Sequence, residues 1–250
     1  MHKAVQTHYD AFLAASYSWI SGCMEEQLRK NRDFFSSHGI TPDHNPGAID
    51  LGAGCGFQSI PLAGLGYAVT AVDFCGSLLD ELRSHAGDLN ITTVQSDIRH
   101  YASWSVLHPG LIVCMGDSLT HLDSLQEAGD LVRQCFLELD PGGRIVLSLR
   151  DYSSLPAGTV DCIPVRRDDN RIFLCKIQYH ETTVTVEDIL YSRTGGSWQR
   201  DAGTYTKIRI PPEYLAQVVR TAGFTLQSSE VRDGTITIIA MKEKNAVSGS

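Results

Sequence analysis

"AIDLGAGCGFQS", residues Ala48 to Ser59, runs from a short apolar stretch with one acid inside it into three glycines spaced two apart. An apolar run that ends in a glycine-rich turn and passes into a helical pattern marks a strand-to-helix junction. Such turns hold phosphates in many proteins, and the spacing tests whether this one does. A dinucleotide loop needs G-x-G-x-x-G, its last glycine letting the helix pack close to the strand. Here Gly52, Gly54 and Gly56 give G-x-G-x-G, and Phe57 stands where that last glycine would be. A P-loop needs a Lys and a Ser or Thr after its second glycine, and this stretch has neither. Asp50, just before the turn, would repel a pyrophosphate and attract an ammonium group. The phosphate readings fail.

Working outward, apolar runs and helical patterns alternate over the first 150 residues. Candidate strands are Ala48–Leu51, Ala68–Asp73, Ile91–Gln95, Leu111–Met115 and Arg144–Leu149. Between them, "SLLDELRSHAG" and "SLQEAGDLVRQCFLEL" place apolar residues three and four apart. Gly66, Gly87 and the "DPGG" of Asp140–Gly143 punctuate helix ends. This alternation predicts an α/β fold, a mostly parallel sheet with helices on both faces.

After Tyr152 the texture changes. "VDCIPVRR", "RIFLCKIQYH", "TVTVEDILYSR" and "SWQRDAGTYTKIRI" read as successive strands separated by turn signals, an inserted antiparallel meander. "PPEYLAQVVRTAGF" restores a helix, with proline at its start and Gly223 near its end. "TLQSSEVRDGTITIIAMK" reads as a hairpin turned at Asp233–Gly234. The expected organisation is therefore an N-terminal helical cap over 1–45, a core formed by 46–152 and 211–243, an insert over 153–210, and a polar, disordered tail over 244–250.

The 250 residues carry a formal net charge of −8, and no block of Lys or Arg stands out. That balance argues against nucleic acid or an anionic membrane as the main partner. No apolar run approaches the roughly 20 residues that span a bilayer. The seven cysteines are odd in number, scattered and without C-x-x-C, as expected of reduced thiols in a cytoplasmic protein.

Two more acids share the first one's position. Asp73 closes the second strand, where a carboxylate can take both hydroxyls of a ribose. Asp97 ends the third strand in "QSDIRH", where it can accept from an exocyclic adenine amine. Three carboxylates at three successive strand ends, around a glycine loop, suit a ligand with a ribose, an adenine and a cationic amino-acid tail. S-adenosylmethionine is that ligand.

"AIDLGAGCG", "VTAVDF", "SDI", "LIVCMGDSLTHL" and "LDPGGRIVLSLRDY" resemble, in order, the motifs of class I S-adenosylmethionine-dependent methyltransferases. The resemblance implies a Rossmann-like seven-stranded sheet with an antiparallel last strand and the cofactor across the first strand ends, leaving S-adenosylhomocysteine as product. By match, Asp50 and the Gly52, Ala53, Gly54 and Gly56 turn take the methionine part and Asp73 the ribose. Asp97 with Ile98 takes the adenine, Phe74 packs on its face, and Met115 and Gly116 close the site at the fourth strand.

The fourth and fifth strands end in "MGDSLTHL" and "SLRDY", so Gly116, Asp117, Ser118, His121, Arg150 and Tyr152 are expected to face the transferred methyl. This region is most similar to the glycine/sarcosine N-methyltransferase branch, whose arginine holds the substrate carboxylate. By match Arg150 does so here, with Tyr152 alongside; the alternative is a salt bridge from Arg150 to Asp151 or Asp117. Asp117 departs from that branch, which has asparagine there. A carboxylate suits a cationic amine, or serves as base for a hydroxyl or thiol.

The expected function is methyl transfer to a small molecule, an amine or amino-acid-like nitrogen, with no metal required. An O- or S-methyltransferase would use Asp117 or His121 as base. Transfer to RNA or protein on the same fold, and a cofactor-binding regulatory subunit without catalysis, are the other readings. In the N-terminal helix, Tyr9, Phe12, Leu13, Tyr17 and Ile20 share a face that serves either as core or as a lid that excludes water. The meander forms either a pocket wall or a homodimer contact.

Overall fold

The computed structural model describes Leu13, residues 17–104 and residues 108–244. Tyr9 and Phe12 of the expected lid face, and the tail from Asn245 onward, lie outside the described residues.

Seven strands form the main sheet: β1 (Gly47–Leu51), β2 (Ala68–Asp73), β3 (Ile91–Gln95), β4 (Leu111–Cys114), β5 (Arg144–Arg150), β10 (Thr225–Arg232) and β11 (Thr235–Met241). Their order is β3-β2-β1-β4-β5-β11-β10. The first five run parallel, whereas β11 is antiparallel to both of its neighbours. β4 is apolar and buried throughout, and β1 is buried from Ala48 to Leu51 with Asp50 as its one acid, as expected of parallel strands covered on both faces. β1 pairs with β2 on one side and β4 on the other, Asp50 lying opposite Ala71 and Val113. The chain order reverses there, and a crevice opens beyond the carboxyl ends of the strands.

Helices cover both faces. On one face α5 (Leu125–Glu138) and α6 (Pro212–Ala222) bury Leu131, Val132, Leu215 and Val219 against Ile112, Leu147 and Ile238. On the other, α2 (Met24–Ser37) and α3 (Ser59–Gly64) bring Phe35 and Leu62 onto Val69, Val113 and Val146. Each such side chain contributes about 1.5–3 kcal/mol relative to exposure. Between β2 and β3 runs α4 (Gly76–Ala86), which buries Leu79 and Leu82 beneath the glycine loop.

Local signals set the boundaries. Ser124 caps α5 by accepting from the Glu127 amide at 3.1 Å, while the Glu127 carboxylate accepts from the Asp123 amide. Pro212 starts α6, and Gly223 ends it in the left-handed region. Asp233 and Gly234 both have positive φ, as the tight turn joining β10 to β11 requires. The fourth strand stops one residue earlier than the apolar pattern suggests. Gly116 and Asp117 adopt φ values of 71° and 77°, which no strand tolerates.

The meander is a separate four-stranded antiparallel sheet: β6 (Val160–Arg167), β7 (Arg171–Tyr179), β8 (Thr183–Thr194) and β9 (Ser197–Ile208). Its inner face packs Ile177, Tyr179, Val184, Val186 and Tyr205 against Tyr152, just past the end of β5. It therefore leans over the crevice. The short helix α1 (Tyr17–Ser21) is tied to the same sheet, because Trp19 carries the Arg171 guanidinium 4.2 Å from its ring centre and that of Arg166 at 5.5 Å.

Candidate active site

The glycine loop folds over the end of β2. The amides of Gly52 and Ala53 both donate to the Val72 carbonyl, at 2.8 and 3.0 Å. The Gly54 amide donates to Asp73 Oδ2 at 2.9 Å, and the Cys75 amide to Oδ1 at 2.8 Å. Asp73 is thus fixed as a strut between loop and helix α4. Burial pushes its carboxyl above the usual range, opposed by the amides of Cys75, Gly54 and Phe74.

The three glycines do different work. A Cβ on Gly52 would lie 2.0 Å from Ser118 Oγ, so this residue lets the loop after β4 come close. A Cβ on Gly56 would stand 2.8 Å from Leu82 Cγ, so Gly56 does the helix-packing job of the last glycine in a dinucleotide loop. Gly54 faces open space, its nearest neighbour there being the Tyr17 ring edge at 3.9 Å. A ligand can approach the backbone at that point.

This surface continues into a cleft bounded by Phe74, Ile98, Met115, Gly116 and His121. A second cavity, of about 490 Å³, opens beyond Gly116. Its walls are Leu13 and Ile20 from the N-terminal segment and Phe173, Ile177 and Val186 from the meander, and its polar groups are Asp117, Arg150, Tyr152, Asp188 and Lys207. Among the described residues, Tyr17 and Gly116 border both spaces.

The family model described as a methyltransferase domain matches residues 48–143, the segment that builds the loop and the first cleft. Residues 48–143 are thus a segment that matches a methyltransferase domain. The chain is 29% identical over 106 residues to glycine/sarcosine N-methyltransferase of Aphanothece halophytica, a match covering 42% of this chain and 40% of that relative. Its fold is similar to that of the CcbJ methyltransferase of Streptomyces caelestis, with a TM-score of 0.80 and 19% identity over 95% of this chain and 99% of the other. It is also similar to CalS10, an amino pentose methyltransferase of Micromonospora echinaspora, with a TM-score of 0.71 and 14% identity over 91% and 95% of the two chains.

In this methyltransferase domain the cleft fits S-adenosylmethionine. Gly54 is an open backbone cradle, Asp73 lines the wall beside it, and Phe74 and Ile98 offer apolar faces. Beneath the loop, Asp50 Oδ1 is a buried acceptor with no hydrogen bond among the described residues.

Three residues expected at the cofactor stand elsewhere. Asp50 is 0% exposed and does not open onto the cleft; its Oδ2 accepts from the Ser59 hydroxyl at 2.6 Å. Gly56 faces Leu82 rather than the ligand. Asp97 pairs with Arg99, which also pairs with Asp123 and Glu127. Its neighbour Ile98, in the turn after β3, reaches the cleft wall. Gly52, Ala53, Gly54, Asp73, Phe74, Ile98, Met115 and Gly116 all line the cleft as expected.

On the acceptor side the structure corrects the reading of Asp117. Its Oδ2 accepts from Lys207 Nζ at 2.8 Å and from the Tyr152 hydroxyl at 2.9 Å, while Oδ1 accepts from the Arg150 amide at 2.5 Å. Burial alone would raise this carboxyl, but Lys207, the Arg150 amide and the Tyr152 hydroxyl outweigh it and hold it at about 2. An acid so strong is a poor proton acceptor near neutral pH, and the amine it holds is the chain's own. Tyr152 is buried with it rather than exposed beside a substrate. Arg150, in contrast, ends β5 exposed at the cavity. It makes no salt bridge to Asp117 or Asp151: Asp117 pairs with Lys207, and Asp151 Oδ1 caps Ser153. His121 is buried with its ring 5.4 Å from that of Tyr205.

Asp50 also sets a pH dependence of stability. Burial lifts its carboxyl to about 7, against 3.8 for the unperturbed group, with Ser59 opposing and Asp73 adding to the rise. Between those values the folded protein keeps a proton that the unfolded chain releases, so stability falls as pH rises through the window. Asp50→Asn removes that penalty and lets Ser59 still donate. The unfolding free energy of the variant, from chemical denaturation, should exceed that of the parent at pH 8 by on the order of a few kcal/mol, and by much less at pH 4.5. Equal differences at the two pH values would contradict this assignment.

Proposed function

We propose that the protein transfers the methyl group of S-adenosylmethionine to a nitrogen of a small amine or amino-acid-like molecule held in the 490 Å³ cavity. The observation that carries this reading is the junction of two spaces, a cleft suited to the donor and a walled cavity, that share Tyr17 and Gly116 among their described lining residues. Bound S-adenosylmethionine supplies an already activated methyl group, displaced in line. The chain's part is alignment and exclusion of water. Gly54 and Asp73 hold the donor, and Met115 and Gly116 set the near edge of the acceptor site. Tyr17 stands over the junction as the tip of a lid, and Phe173, Ile177 and Val186 keep the acceptor's surroundings dry.

Nitrogen is favoured over oxygen or sulfur because the junction offers no strong base. Asp117 is held ionised by Lys207, leaving His121 as the one candidate from the expected set to deprotonate an O–H or S–H. The similarity to a glycine/sarcosine N-methyltransferase supports the same choice. Arg150, with an unclaimed guanidinium at the cavity, is suited to take a substrate carboxylate in bidentate fashion.

Incubation with methyl-labelled S-adenosylmethionine and a pool of small metabolites is the direct test. A labelled amine product supports the reading, and label in an ether, an ester or a thioether overturns the choice of nitrogen. With a carboxylate-bearing acceptor in hand, Arg150→Ala should raise KM about 10- to 100-fold, as expected for loss of a charge-assisted pair. Adenosylhomocysteine affinity should be unchanged, and loss of both in parallel would contradict the assignment.

A further inference from the structure

The meander does more than wall the cavity, because one of its residues reaches the loop that both spaces share. Lys207 lies on β9 directly opposite Val184 and on the same inner face as Tyr205. Its side chain is 7% exposed, and its Nζ sits 2.8 Å from Asp117 Oδ2 and 3.2 Å from Tyr152 Oη. Ninety residues separate Lys207 from Asp117 in the chain. Asp117 itself follows Gly116 in a second consecutive left-handed conformation, a geometry that a residue other than glycine keeps only when its surroundings impose it. Three bonds to its carboxylate impose it here.

We propose that Lys207 is a positioning residue: through Asp117 it fixes the Met115–His121 loop, so that the meander controls the geometry of the donor cleft as well as that of the acceptor cavity. This rests on the cofactor reading above. A buried ion pair adds little net stability over well-packed apolar side chains, so its value at this point is geometric. Met115, Gly116, Ser118 and His121 from this loop all line the donor cleft, and the Ser118–His121 turn is further braced by the His121 and Tyr205 rings.

The charged and titratable groups around Asp117 are Lys207 and Tyr205 from β9, Arg150 and Tyr152 from the end of β5, His121 from the following turn, Tyr17 from α1, and Asp188 on β8 across the cavity. Lys207 keeps Asp117 ionised across the range in which an enzyme is assayed. Without that cation only the Arg150 amide and the Tyr152 hydroxyl oppose burial, so Asp117 should hold its proton to higher pH.

The test measures adenosylhomocysteine binding by calorimetry from pH 5 to 8. Lys207→Met should weaken binding about tenfold or more, within the usual span of coupling between sites, and introduce a new inflection on the acidic side. Lys207→Arg should restore most of the affinity and remove the inflection. The paired variant D117N/K207M should bind better than either single variant and show no such inflection, because it buries no lone charge. Should K207M fail to fold, Lys207→Gln takes its place in the cycle. Additive effects in the cycle, or a K207M profile parallel to the parent's, would overturn the proposal. Absence of binding by the parent protein would instead overturn the cofactor reading.

Discussion

Asp73→Ala abolishes adenosylhomocysteine binding, or weakens it at least 100-fold by calorimetry. The size follows from two losses at once. The carboxylate lines the donor cleft where a ribose is expected, and hydrogen bonds to a charged group contribute roughly 1.5–3 kcal/mol each. The same carboxylate also holds the Gly54 and Cys75 amides. Removing it leaves two amides without their acceptor and loosens the loop that must meet the ligand. Asp73→Asn separates these effects. Its single amide oxygen keeps one of the two backbone bonds, so the variant should fold near the parent's stability yet bind weakly. Parent-like binding by Asp73→Ala would remove Asp73 from the site.

Gly52→Ala should be the most destabilising single methyl addition in the loop. The new Cβ would lie 2.0 Å from Ser118 Oγ and 2.5 Å from Ser118 Cβ, and the residue would keep a φ of 84°. Contact and strain act together, and a loss of about 3 kcal/mol or more is expected. The Ser118 turn cannot retreat, because Asp117 beside it is held by Lys207, Tyr152 and the Arg150 amide. Gly116→Ala is the control. It has a similar φ of 71° but nothing within 4 Å of the added carbon, so strain alone should cost about 1 kcal/mol. Chemical denaturation of the two variants decides the matter, and equal losses would show that the approach to Ser118 is unimportant. A double variant, Gly52→Ala with Ser118→Gly, should recover much of the first loss.

Much of this architecture is legible in the sequence, because its signals are local. The strands around "AIDLGAGCG" are continuous apolar runs, and Gly223 and the Asp233–Gly234 turn follow from φ values that few other residues adopt. The cleft residues from Gly52 to Gly54, with Asp73 and Phe74, follow from the strand ends on which they sit. The acids were harder to place, since a carboxylate at a strand end can face the ligand, the loop above it or the next turn. Asp73 does two of these, Asp50 is closed beneath the loop, and Asp97 turns to Arg99 two residues on. Lys207 could not be reached from local pattern, as its partner lies 90 residues earlier in the chain. One signal was present all the same. In "YTKI" the alternation that buries Tyr205 also turns Lys207 inward, and a lysine on a buried face needs an acid.

The loop spacing and its acid also change what the glycine turn is for. It resembles a phosphate cradle in composition, but Gly56 packs on α4 and an acid, Asp50, is buried below it. A cation-bearing amino-acid tail suits that surface better than a pyrophosphate.

Calorimetric titration of the intact protein with adenosylhomocysteine, run beside an identical titration with NADH, tests the central claim most directly. The structure predicts saturable binding of adenosylhomocysteine at one site per chain and no heat from NADH. Tight binding of NADH with no response to adenosylhomocysteine would contradict it.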